Sequence, residues 1–216
     1  MTLAPNTAYK VLSDGKSCHG GNLDWSLPTL NEDGTYTPGA WMRVDGELIL
    51  CENAIHLTDQ PAAWYVEGGQ CWLAEYRGAT VGALDGGTES KLGVREARLL
   101  APVEWATVGA YTTGEHTVSA GFVLASDSAT VRAYGSATVR AYGSATVHAY
   151  GSATVRAYGS ATVHAYDSAT VHAYGSATVI SSRWHSANAT VVLTDLAAHV
   201  DRRGGAVAVR VAEVSP

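Results

Sequence analysis

Residues 129–176 read ATVRAYGS ATVRAYGS ATVHAYGS ATVRAYGS ATVHAYDS ATVHAYGS, and this run decides the fold. Six copies of one octamer begin at Ala129, Ala137, Ala145, Ala153, Ala161 and Ala169, and only two positions vary. The fourth is Arg132, Arg140, His148, Arg156, His164 and His172; the seventh is Gly except for Asp167. Ala, Val and Ala at positions one, three and five alternate with Thr, Arg/His and Tyr at two, four and six. That period of two marks a strand with one buried face. Gly at the seventh position, replaceable by Asp, marks a turn with a left-handed backbone. Each octamer is therefore one short strand and one turn. One octamer cannot bury its apolar edge alone, so successive copies must stack into a β-solenoid, or β-helix. A helix is disfavoured, because Gly in every octamer costs about 1 kcal/mol relative to Ala, while Thr, Val and Tyr favour strands. Regular Val and Tyr also argue against a disordered tract.

Two octamers per coil give a flat two-sheet solenoid and three give a triangular one. Ala and Val leave little to fill a triangular interior, which favours two. Gly121–Ser128 and Ala177-Thr178-Val179 read as degenerate flanking copies. After a break at 180–188 that carries Trp184, Ala189–Leu193 and the alternating run 206–214 follow, the latter preceded by the turn signal Asp201–Gly205. The segment 180–216 is expected to supply a last coil or a capping hairpin, because open solenoid ends are unpaired strand edges.

Residues 1–105 have a different composition, with five of the six Trp and all three Cys. Short β-like runs at Ala8–Leu12, Glu47–Cys51 and Gln70–Tyr76 are separated by turn clusters at Ser13–Gly15, Asn31–Gly34 and Asp85–Gly87. One short helix is expected at Gln60–Glu67, with Pro61 suited to its first turn. The chain thus reads as mainly β: an N-terminal α+β capping domain over 1–105, then a β-solenoid over 106–216.

The charge is split. Residues 1–128 carry 7 Lys or Arg against 16 Asp or Glu, and residues 129–216 carry 7 against 4, within an overall net charge of −6. A pI near 5.7 lies far below the value above about 9 typical of a nucleic-acid footprint, so nucleic acid is not an expected partner. No apolar run approaches the roughly 18 residues of a membrane span. The opening MTLAPNTAYKVLSDG lacks the basic and apolar regions of a secretory signal. Cys18, Cys51 and Cys71 are an odd number crowded into the first third, which argues against a disulfide framework and fits a reducing compartment.

Tyr9-Lys10 opens the first strand; Cys18-His19-Gly20-Gly21, then Cys51-Glu52-Asn53-Ala54-Ile55-His56-Leu57, then Trp72-Leu73-Ala74-Glu75-Tyr76 follow. In this order the features resemble an uncharacterised domain family of phages, prophages and bacteria, whose members place such a domain before Ala/Thr/Gly/Ser-rich repeats. The resemblance covers about residues 7–105. Ala54-Ile55 stands where a Gly-Phe pair usually precedes the His, and no second Cys follows closely. The resemblance implies a cytoplasmic protein of a bacterial host, or a virion-associated one, more than any chemistry.

Cys18, Cys51, His56 and Cys71 are candidate zinc ligands by residue type. Their spacing contains no Cys-x-x-Cys pair, so buried apolar cysteines are the favoured reading, with no metal and no cofactor. Cys51 with His56 is a conceivable nucleophile–base pair. A nucleotide-handling site, like that of ADP-ribosyl-transferring folds, would draw on Tyr9, Lys10, His56, Tyr65 and Glu75, with Tyr9, His56 and Glu75 as catalytic candidates; this is an analogy at the level of fold. Val81–Gly87 (VGALDGG) lacks the pattern of a phosphate-binding loop.

Arg132, Arg140, His148, Arg156, His164 and His172 read as one solvated outer face, the expected surface for an unknown protein partner or for self-association. With two octamers per coil, His148 and His164 share a column with Arg132, so like charges should depress the histidine pKa values. The run Tyr-Gly-Ser-Ala-Thr resembles the core of bacterial ice-nucleation repeats, but Arg or His two residues beyond each Thr interrupts a flat ice-matching face. The chain reads as a structural or interaction protein, with an enzyme in the N-terminal domain and an ice-binding solenoid as alternatives.

Overall fold

Each octamer forms one four-residue strand: Thr130–Ala133, Thr138–Ala141, Thr146–Ala149, Thr154–Ala157, Thr162–Ala165 and Thr170–Ala173. The strands pair in parallel with a step of two octamers, Thr130 with Thr146 and Thr162 in one sheet, Thr138 with Thr154 and Thr170 in the other. A coil therefore holds two octamers, and the solenoid is two parallel sheets back to back, about five turns over residues 110–201. The computed structural model describes residues 3–18, 23–181, 188–202 and 208–211. It divides into two units, Met1–Val108 and Gly109–Pro216. No helix among the described residues is long and apolar enough to cross a membrane.

The alternation sorts the side chains as it dictates. In all six octamers Ala, Val and Ala at positions one, three and five are fully buried. Together they form one continuous core, held by the removal of apolar surface from water at about 25 cal/mol per Å². Thr, Arg/His and Tyr stand on the outside. The tyrosines stack into two ladders, Tyr134–Tyr150–Tyr166 and Tyr142–Tyr158–Tyr174, with ring centroids 4.6–5.0 Å apart, the separation that adjacent parallel strands impose.

The turns explain the last two positions. Gly135, Gly143, Gly151, Gly159 and Gly175 all have φ between 55° and 63°, and Asp167 has φ 50°. Asp127 and Asp195 occupy equivalent turns at φ 50° and 58°. Asp tolerates this region and adds an acceptor: Asp167 Oδ2 takes the Gly151 N–H at 2.9 Å, and Asp195 Oδ2 takes the Gly175 N–H at 3.1 Å. The octamer's Ser donates through its hydroxyl to the turn carbonyl of the coil below, as Ser152 does to Gly135 O at 2.8 Å and Ser168 to Gly151 O at 2.9 Å. The turn carbonyl is thus satisfied within the stack, and where Asp stands in the turn so is the glycine N–H below it.

The degenerate copies continue it. Phe122–Ala125 and Thr178–Ser181 are strands, and Ala110–Tyr111 and Glu115–Val118 begin the two sheets. Past the break the step grows by four residues, since Thr170 pairs with Thr190 and Thr178 with Ala198. Thr190–Leu193 and Ala198–Asp201 supply the last coil, and Ala208–Val211 folds back antiparallel on Ala198–Asp201. Trp184 and Arg203–Gly205 lie outside the described residues. At this end the buried positions turn polar, with Ser181 Oγ 2.9 Å from His199 Nε2.

The N-terminal unit is built on a long hairpin, Gln70–Ala83 with Lys91–Val103. Thr7–Ser13 pairs with the first half of that hairpin, and Ile55–Leu57 pairs with the start of Lys91–Val103. Tyr9 and Thr58 exchange both backbone hydrogen bonds, at 2.7 and 3.0 Å. This joins the two ends of the sheet into a small barrel-like ring around Ala8, Leu12, Leu57, Ala74, Val94 and Leu99. Glu47–Cys51, expected as a strand, is instead a loop with one bridge, Ile49 to Asn53. The helix expected at Gln60–Glu67 is a single 3-10 turn, Pro61–Trp64. Gln60 provides no side-chain cap and Tyr65 is already extended, so nothing carries the turn further. A second 3-10 turn spans Trp105–Val108. These two turns are the helical part of the unit among the described residues.

Candidate functional site

Three distant segments converge in the N-terminal unit. Lys10 comes from the first strand, His56 from Ile55–Leu57, and Lys91 from the start of the last long strand. They line a cavity of about 310 Å³ together with Trp25, Trp64 and Glu52. Gly93, facing both His56 and Val81 across the sheet, allows the close approach: a Cβ there would sit 2.8 Å from Ala54 Cβ and Val81 Cγ1.

Lys10 is 9% exposed. Its Nζ donates to His56 O at 3.2 Å and lies 5.6 Å from the centre of the Trp25 ring. Burial lowers its pKa to about 8, with Cys18 opposing the shift and Lys91 adding to it. Lys91 Nζ rests 4.6 Å from the Trp64 ring centre and donates to Cys51 Sγ at 3.4 Å. His56 Nε2 accepts the Cys51 N–H at 2.9 Å, a bond that requires the neutral ring. Burial first, then the Lys10 and Lys91 charges, push its pKa down to about 4. Cys51 holds φ 68° to make this contact.

Tyr9, Lys10 and His56 therefore share one cavity, which Tyr65 and Glu75 do not line. Glu75 pairs with Thr7 across the sheet while Lys10 pairs with Trp72, so strand alternation sends Glu75 to the face opposite Lys10. There it makes an ion pair with Arg98 at 2.7 Å. Tyr65 packs edge-on against Trp105, with centroids 5.0 Å apart. The nucleotide-handling candidates therefore do not all come together in the cavity.

The zinc candidates do not converge either. Cys18 Sγ donates to Val11 O at 3.5 Å, and the wholly buried Cys71 has its pKa raised by burial to about 12. Cys51 faces Lys91, and the His56 Nε2 lone pair is taken. Among the described residues no three His, Cys, Asp or Glu side chains could hold one ion. His19 lies outside the described residues. Cys51 and His56 meet through a backbone N–H rather than through the thiol. In the Val81–Gly87 segment, the Gly86 N–H goes to Asp59 Oδ2 and the Gly87 N–H to Asp85 Oδ1, both at 3.0 Å, which uses up donors a phosphate would need.

Sequence reasoning missed Trp25, Trp64 and Lys91. Nothing local marks them; only the closure of the sheet brings them together.

On the solenoid the variable position forms two columns, Arg132–His148–His164 and Arg140–Arg156–His172. The His148 and His164 rings stack with centroids 4.7 Å apart, and Arg132 pairs with Glu115 at 3.0 Å. Both histidine pKa values are lowered, chiefly by burial. His164 and Arg132 add to the shift at His148, where Glu115 opposes it, and Arg202 adds to it at His164. The unfolded chain takes up protons first, so stability is complete above about pH 6.5 and declines as pH falls toward the depressed folded values. We expect the melting temperature to drop over that window, and His148→Gln with His164→Gln to flatten part of the drop. A wild-type profile flat from about pH 8 to about pH 5 contradicts this.

No family model, curated protein or solved structure matches this chain.

Proposed function

We propose that the chain is a non-catalytic structural or interaction protein of phage or prophage type, in which a rigid β-solenoid serves as spacer and binding surface in a chain that also carries the N-terminal domain. One observation carries this reading: all six octamers keep every inward side chain, while variation is confined to the outer Arg/His columns and one turn position. A stack built this way is extended by adding copies without redesigning its core. The partner is a protein, or a second copy of the chain, docking on the outer ladders. The order of domains supports a place in the cytoplasm of a bacterial host or on a virion.

Inserting two further sixteen-residue coils after Ser160 tests the spacer role. The maximum dimension from small-angle scattering should grow by about 10 Å, twice the strand spacing, with no loss of melting temperature. An unchanged dimension, or a separate low-temperature transition, contradicts it.

A further inference from the structure

Among the described residues, the N-terminal cavity holds two ammonium groups that no carboxylate pairs with. Among the described residues the ion pairs of the N-terminal unit join Lys16 to Asp24, Arg43 to Asp45 and Glu96, Arg77 to Glu96 and Arg98 to Glu75. Lys10 and Lys91 take part in none of them. Glu52 lines the same cavity without pairing with either lysine. Each ammonium instead rests on an indole face, Lys10 on Trp25 and Lys91 on Trp64. In a segment as acidic as residues 1–128, leaving these two cations unpaired is a choice the sequence could easily have avoided. Burying an ammonium without a counter-charge costs several kcal/mol.

We propose that this cavity binds a small organic anion, a carboxylate or phosphate carried on a flat apolar body. The anionic group bridges Lys10 and Lys91, and the flat body lies against Trp25 and Trp64. Lys10 Nζ spends one donor on His56 O, which leaves two N–H groups for the ligand. About 310 Å³ equals the liquid volume of roughly ten waters, room for a single substituted ring and near the lower end of known ligand pockets. Tyr9, Lys91, His56, Cys18 and Glu52 are the titratable groups around Lys10 among the described residues. A bound anion stabilises its protonated form, so affinity falls as pH rises past about 8.

Calorimetric titration of the full chain with benzoate, phenyl phosphate and the neutral benzyl alcohol tests this. At least one anion should bind, and the alcohol at least about tenfold more weakly. Benzoate binding alone assigns a carboxylate, and phenyl phosphate binding alone a phosphate; either supports the proposal. Lys91→Gln, at a partly exposed position, should weaken the anion about tenfold, so the test stands even if Lys10→Gln does not fold. The proposal is overturned if neither anion binds below about 10 mM, if benzyl alcohol binds as tightly, or if Lys91→Gln leaves the affinity unchanged.

Discussion

Val155→Asp should unfold the solenoid. Val155 is fully buried in the middle of the stack, between Val139 and Val171 in its own sheet. The substitution gives up about 1.5–3 kcal/mol of apolar burial. It also places a carboxylate in an interior lined by Ala and Val, with no donor in reach, which costs several kcal/mol more or forces its protonation. The sum, above about 4 kcal/mol, is a large part of the about 5–15 kcal/mol that holds a domain folded. Because each coil contacts only its neighbours, a break in the middle separates two short stacks that are each too small to persist. Circular dichroism melts should show the transition lost or lowered by more than about 15 °C. Thr154→Asp, one residue away on the outer face, should cost less than about 1 kcal/mol. Equal losses for the two would mean that the inward and outward faces are wrongly assigned.

The second large effect separates two substitutions at one glycine. Gly159 has φ +63°, and a Cβ there would meet nothing closer than Gly143 N at 3.4 Å. Space is adequate, so the backbone conformation decides. Gly159→Val forces a β-branched residue into the left-handed region and should cost about 2 kcal/mol. Gly159→Asp should stay within about 0.5 kcal/mol of wild type, because Asp167 already holds an equivalent turn at φ 50° and accepts the Gly151 N–H below it. The Gly143 N–H stands ready for the same bond. Chemical denaturation of the two variants checks this ordering, and equal destabilisation would contradict it.

The solenoid was legible because each rung repeats one local rule. Alternation of Ala, Val and Ala with Thr, Arg/His and Tyr fixes the faces, and Asp167 among glycines marks the left-handed turn. The number of octamers per coil was a matter of volume; the small interior residues only favoured two, and the strand pairing holds two. The N-terminal unit was much less legible. Lys91–Val103 contains Arg95-Glu96-Ala97-Arg98-Leu99-Leu100, all good helix formers. It is nevertheless a strand, because pairing with Gln70–Ala83 on one side, and with Ile55–Leu57 and Met42–Arg43 on the other, overrides propensity. Glu47–Cys51 has a strand-like composition, yet Cys51 must turn to φ 68° to give its N–H to His56. The cavity was only half visible. Lys10 and His56 stood out by residue type, whereas Trp25, Trp64 and Lys91 reach it through a ring closure that no local pattern announces. Glu75 looked like a partner for His56 in sequence, yet it stays outside the cavity and pairs with Arg98.

A coil of two octamers fixes which residues lie one strand apart, and cysteine pairing reads that step. Neighbouring parallel strands hold their Cα atoms about 4.8 Å apart, within the 4.4–6.8 Å span of a disulfide. Thr138→Cys with Thr154→Cys, one coil apart, should cross-link under mild oxidation and be identified by peptide mass mapping. Thr138→Cys with Thr162→Cys, three octamers apart and on opposite sheets, should not. Cross-linking of the second pair in place of the first would mean three octamers per coil, and the two-sheet solenoid would be wrong.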